Sequence, residues 1–145
     1  MSFSLHDAKN YTIVLSDIPI NEGVGPDTFL TCAPEGEAFG DSIGAYGDVC
    51  RHNNHETRST VELTLMNSSK HNVQLSALHA ADVNAPNGVG VGAMLIKDNS
   101  GSTVLAAPQC WIQKRPDWEL GKEVGVSTWV FRIVSNAGAL IVGGK

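Results

Sequence analysis

Residues 58–82, RSTVELTLMNSSKHNVQLSALHAAD, constrain the fold more than any other stretch. Val61, Leu63 and Leu65 alternate with Thr60, Glu62 and Thr64. That period of two belongs to a strand with one buried and one wet face. Asn67-Ser68-Ser69 breaks the pattern, and a serine at 68 or 69 can cap a helix by accepting from its first-turn N–H groups. From Lys70 the period changes. Val73, Ala77 and Ala81 fall on one stripe, with Leu75 and Leu78 beside it, as in an amphipathic helix of about three turns. No other segment has a helical pattern, so the sequence predicts a mainly β chain with one α-helix packed on its sheet.

The rest of the chain supplies short pieces. Fifteen Gly and six Pro punctuate its 145 residues, and 42% hydrophobic content suits a globular chain with a real core. One domain over residues 1–145 is expected. Asn10 to Ile18 reads as a strand, with Ile13 and Leu15 opposite Val14 and Ile18. Thr28 to Ala33 reads as a second, and the two form a plausible hairpin across the Gly-rich turn 19–26. Residues 34–56 carry four Gly and little periodicity, and a loop of that length in a compact domain is usually functional or disordered. Ala93 to Asp98 and Thr103 to Gln113 read as partners across Asn99-Ser100-Gly101, the second bent near Pro108. Arg115-Pro116-Asp117 is a turn. Val126 to Ser135 reads as the longest strand, with Trp129, Phe131 and Ile133 on one face and Thr128 and Arg132 on the other. Ala139 to Val142 adds a short one.

Charge and cysteine usage exclude several classes. Fifteen acidic against ten basic residues give a net charge of −5. The imbalance sits in residues 1–60, with nine acidic and three basic side chains; residues 61–145 hold six and seven. No basic stripe exists to neutralise nucleic-acid phosphates. No apolar run approaches a membrane span, and the N-terminus does not read as a signal peptide. Three irregularly spaced cysteines argue against a disulfide framework.

Candidate chemistry is sparse. Cys50, His52 and His55 form C-x-H-x-x-H, but a fourth ligand at closed spacing is missing, so polar loop residues are the better reading and no metal or cofactor is expected. His71 and His79 read as helix surface. Cys32 and Cys110 read as small buried hydrophobes. Gly88, Gly90 and Gly92 lack the following helix that would cradle phosphate. Trp111, Trp118 and Trp129 offer stacking surfaces but fit a core equally. A small sugar- or peptide-binding β-domain, or a metal-dependent enzyme built on Cys50, His52 and His55, remain the alternatives from residue chemistry.

Two blocks carry a family resemblance. The first is Gly44, Gly47, Asp48, Val49 and Arg51, then Val61, Leu63, Thr64 and Leu65, then Ser69, Asn72, Leu75, Ser76, Ala77 and Leu78. The second is Leu95-Ile96-Lys97-Asp98, Gly101, Thr103, Ala107, Trp111-Ile112, Lys114, Pro116-Asp117, Gly121, Glu123, Gly125 and Trp129. In order and spacing they resemble tail tube proteins of contractile-tailed bacteriophages, related to siphophage tubes and type VI secretion inner tubes. The sequence departs from the pattern at Tyr46 and in HNNHE.

The resemblance implies a β-barrel-like sandwich with a single flanking helix and a structural, non-enzymatic role in the virion. It implies hexameric rings stacked into an inner tube that conducts DNA during ejection without binding it specifically. Sheath, baseplate and tail terminator proteins would be partners, membranes would not, and assembly would occur in the host bacterial cytoplasm. Loop 34–56 is then the natural arm to neighbouring subunits, through Phe39, Asp41, Tyr46, Asp48, Arg51 and His52. Thr60, Glu62, Thr64, Thr128 and Arg132, on the wet faces of two strands, become candidates for the lumen wall, with Arg132 placed to pair with Glu62.

Overall fold

The computed structural model describes residues 5–134 and 140–143. In chain order it holds β1 (Tyr11–Leu15), β2 (Ile18–Pro19), β3 (Leu30–Pro34), β4 (Phe39–Ile43), β5 (Val49–Asn53), β6 (Arg58–Met66), α1 (His71–Asn84), β7 (Gly92–Asp98), β8 (Val104–Lys114), β9 (Val126–Val134) and β10 (Leu140–Ile141). One antiparallel sheet runs β2-β1-β7-β8-β9-β6-β3, with β10 beside β8; β4 and β5 pair separately. The sheet curls on itself, so that Ile13 and Leu15 of β1 share one core with Val61, Leu63 and Leu65 of β6 although three strands lie between them. The architecture is a β-barrel-like sandwich with one flanking helix.

Strand β6 behaves as its alternation predicts. Val61, Leu63 and Leu65 are fully buried, while Glu62 is exposed. It pairs with β9 along its whole length and with β3 over its first half. Trp129, Phe131 and Ile133 of β9 lie on the same buried face. Strand β8, at eleven residues, is longer than β9 at nine. A register shift against β7 near Pro108 flips its phase, so Leu105 and Ala107 face the core before it and Cys110 and Ile112 after it. That flip breaks the alternation and hides the strand's length. Ser135 and Ala139 lie outside the described residues.

The expected hairpin of the first two strands is not formed. β1 turns tightly through Ser16 and Asp17, both at positive φ, and pairs with β2; its other neighbour is β7. The connector to β3 runs along β6 instead. Gly25 N–H donates to Thr64 O (3.0 Å), Thr64 N–H donates to Phe29 O (2.8 Å), and Val24 bridges Leu65. β3 therefore lands at the opposite end of the sheet from β2.

The helix begins where expected, and Ser69 Oγ accepts from His71 N–H at 3.3 Å. The face it buries is not the expected one. Val73 is 73% exposed, and Ala77 and Ala81 are exposed too; His71 and Leu75 are buried, with Leu78 packed against the core. Residues 73 and 75 differ by about 200° around a helix, so the buried stripe lies nearly opposite the apolar one. His71 is the reason. Its Nδ1 lies 2.8 Å from Gln74 Oε1 and its Nε2 3.1 Å from Asn21 Oδ1, so a polar ring is buried with both nitrogens partnered. It is not helix surface.

Candidate assembly surfaces

Residues 34–56 are not structureless. They fold into the β4–β5 hairpin, in register from Phe39↔Asn53 to Ile43↔Val49. Its turn is closed by Gly47 N–H to Gly44 O (3.0 Å) and Gly44 N–H to Asp48 O (2.7 Å). Gly47 sits at φ +90°, which a side chain would resist. Gly40 has another duty: the ring of His52 lies where its Cβ would be. Periodicity missed the hairpin because both its faces are wet, and burial is what writes alternation into a strand.

Every residue named for the arm is on this hairpin. Phe39, Asp41 and Ile43 share a face with their partners Asn53, Arg51 and Val49. Arg51 lies over the Phe39 ring, 4.3 Å from its centre. Asp41 is therefore opposite Arg51 without an ion pair, and Asp48 also lacks one among the described residues. Tyr46 at the tip is 98% exposed, and Ile43 and Val49 are largely exposed. Those two apolar residues were missed because they sit among glycines and charges rather than in a run. At the hairpin's root, hydrogen bonds from the Arg58 side chain and backbone hold the Glu56 carboxyl below its ordinary value.

The second surface is the outward face of β6 and β9. Thr60, Glu62 and Thr64 stand opposite Arg132, Val130 and Thr128. The Thr64 and Thr128 hydroxyls are 3.1 Å apart. Arg132 does not pair with Glu62. Its Nη2 lies 3.4 Å from Glu35 Oε1, the oxygen that also accepts from Thr60 Oγ1. The chain leaving β3 brings Glu35 back over Thr60, whereas Glu62 is a register step away between Thr31 and Val130. Arg132 is thus neutralised locally, and Glu62 has no ion pair among the described residues.

The third surface is a cleft of about 710 Å³ at the other end of β6, between the first turns of α1 and the chain leaving β8. Asn72 builds its floor. Its Nδ2 donates to Met66 O (2.9 Å), and its Oδ1 accepts from Trp129 Nε1 (2.9 Å). Lys114, Arg115 and Trp118 form the outer wall, and Trp118 is 79% exposed. No sequence pattern marked this cleft, since its walls come from three distant segments.

The remaining candidates are structural or dispersed. Trp129 is buried, Trp111 is half-buried, and only Trp118 and Trp129 border the cleft. No three His, Cys, Asp or Glu among the described residues are grouped to hold a metal ion. Burial pushes the Cys110 thiol up to about 12 and also raises Cys32, which is only half-buried; Cys50 is exposed. Gly90 and Gly92 allow close approach to Asp82 and Ser16, and the Asp82 carboxylate accepts from the N–H groups of Val89 and Gly90.

A family model described as bacteriophage PhiTE tail tube protein matches residues 30–140. Structural protein ORF10 of Pseudomonas phage KPP10 is 25% identical over 113 residues, which cover 78% of this chain and 65% of that protein. The chain thus spans slightly less than two thirds of that relative's length. Solved structures share the fold at 8% identity. The sheath/tube terminator of the extracellular contractile injection system PVC aligns with a TM-score of 0.58 over 97% of this chain and 98% of that one. The tube-terminating cap of the anti-feeding prophage aligns at 0.57 over 93% and 91%. A chain of the PVC sheath-tube complex aligns at 0.52 over 88% and 86%.

Proposed function

The chain belongs to the bacteriophage PhiTE tail tube protein family, and from that premise we propose that it is the repeating subunit of a tail's inner tube. Six copies close a ring, and rings stack into a hollow cylinder within the virion. The subunits assemble in the host bacterial cytoplasm, and the finished tube conducts DNA during ejection. A contractile sheath, a baseplate and a tail terminator are its partners. The family match over residues 30–140 carries this reading, and the fold shared with a sheath/tube terminator supports it.

The physical features agree with a conduit. A head-to-tail polymer needs two different contact surfaces on each subunit. Here they are the exposed hairpin and the edges of the curled sheet, which ring closure would cover. The threonine-rich outer face of β6 and β9 is the wall turned to the lumen: Thr60, Thr64 and Thr128 offer neutral hydroxyls, Arg132 is paired, and Glu62 contributes a carboxylate with no ion pair among the described residues. Six copies of net charge −5 give −30 per ring, a field that repels phosphates and lets DNA slide. Electron microscopy of the purified protein tests the reading. Hollow tubes built from six-fold rings are expected; a chain that stays monomeric at high concentration across salt conditions overturns it.

A further inference from the structure

Building on the tube reading, we propose that the tip of the β4–β5 hairpin of one subunit seats in the cleft beside Trp118 of another, and that this contact joins one ring to the next. Position is the first argument. The hairpin leaves the sheet at the N-terminal end of β6, where Glu35 N–H donates to Arg58 O. The cleft lies at the C-terminal end, bordered by Asn67 just beyond Met66. Nine residues of strand separate them by roughly 30 Å. A projection at one end of a strand and a recess at the other make a heterologous pair that propagates along the strand direction.

Charge is the second argument. The hairpin itself, residues 39–53, carries the carboxylates Asp41 and Asp48 against the one cation Arg51, whose guanidinium lies over Phe39; Glu35 and Glu56 at its root are already paired with Arg132 and Arg58. Asp41 and Asp48, nearest the tip, are unpaired among the described residues. The outer wall of the cleft presents the adjacent cations Lys114 and Arg115, exposed and equally unpaired, against the single carboxylate of Asp117.

Chemistry and size are the third. Tyr46 projects fully into solvent from a tight glycine turn. The cleft joins an exposed indole, Trp118, to polar side chains of Asn67, Asn72 and Ser76. A phenol entering it finds a ring to pack on and partners for its hydroxyl. A two-stranded hairpin is marginal by itself, so docking also supplies the apolar cover that Ile43 and Val49 lack.

Charge exchange tests the contact. Lys114→Glu with Arg115→Glu is expected to leave six-subunit rings, counted by native mass, while raising the concentration needed for tubes at least tenfold. Asp41→Lys with Asp48→Lys should do the same, and the two pairs combined should restore tubes. Tyr46→Ala provides a second, charge-neutral variant with the same expected arrest at rings. Tubes unaffected by the cleft pair and by Tyr46→Ala overturn the contact and leave the tube reading standing. Loss of the rings themselves in the cleft variant, with the fold intact by circular dichroism, moves the cleft to the contact within a ring and also overturns it. A wild-type chain that forms no rings overturns the tube reading first.

Discussion

Strand β6 and the β4–β5 hairpin are joined by residues 54–57, yet they are stabilised in opposite ways. β6 has a hydrogen-bonded neighbour on each side over its first half, and three of its side chains are fully buried. The hairpin has one ladder of its own, and none of its residues is buried. The first holds the subunit together. The second keeps its shape through backbone bonds and a glycine turn while its apolar side chains stay in water. A segment built so gives little to its own subunit and has contact area to offer another.

The difference can be broken at either end. Leu63→Ala in β6 removes a fully buried side chain between Leu30 of β3 and Trp129 of β9 and should lower the unfolding free energy by about 2–5 kcal/mol in urea titrations. A loss under about 1 kcal/mol would mean that β6 is not the centre of the core. Replacing residues 39–53 by Gly-Gly is feasible because Asn54 N–H already donates to Ala38 O at 2.9 Å. That variant should unfold within about 0.5 kcal/mol of the parent, as changes away from buried contacts do, yet form no tubes. Normal tubes from it would show that the hairpin is not the arm.

The smallest effect on the subunit is expected at Glu62, which is exposed on the outer face of β6 and has no ion pair among the described residues. Glu62→Lys should assemble with unchanged thermal stability. Reconstituted into phage, it should slow DNA ejection, most at low salt where screening is weakest. Unchanged ejection kinetics at low salt would place this face away from the lumen.

Much of the fold was legible because burial leaves a period in the chain. Val61, Leu63 and Leu65, then Trp129, Phe131 and Ile133, announced their strands and faces, and the serines at 68 and 69 announced the helix start. Length and glycine content singled out residues 34–56, although the hairpin within them stayed hidden, since a strand wet on both sides has no reason to alternate. The helix face was misread because Val73, Ala77 and Ala81 look like a core stripe by composition. A satisfied histidine took that place, which only the positions of Asn21 and Gln74 could reveal.

The sequence by itself therefore determined the mainly β class, the single helix, the inward face of β6 and, through its ordered motif residues, the tail tube family. Tertiary structure decided which strands are neighbours, where Glu35 meets Arg132, and that Asn67, Asn72, Lys114, Arg115 and Trp118 surround one cleft. Local periodicity reports what each residue does relative to its own strand or helix. Pairing, ion-pair choice and cleft formation depend on chain segments dozens of residues apart, and they are settled only when the core closes.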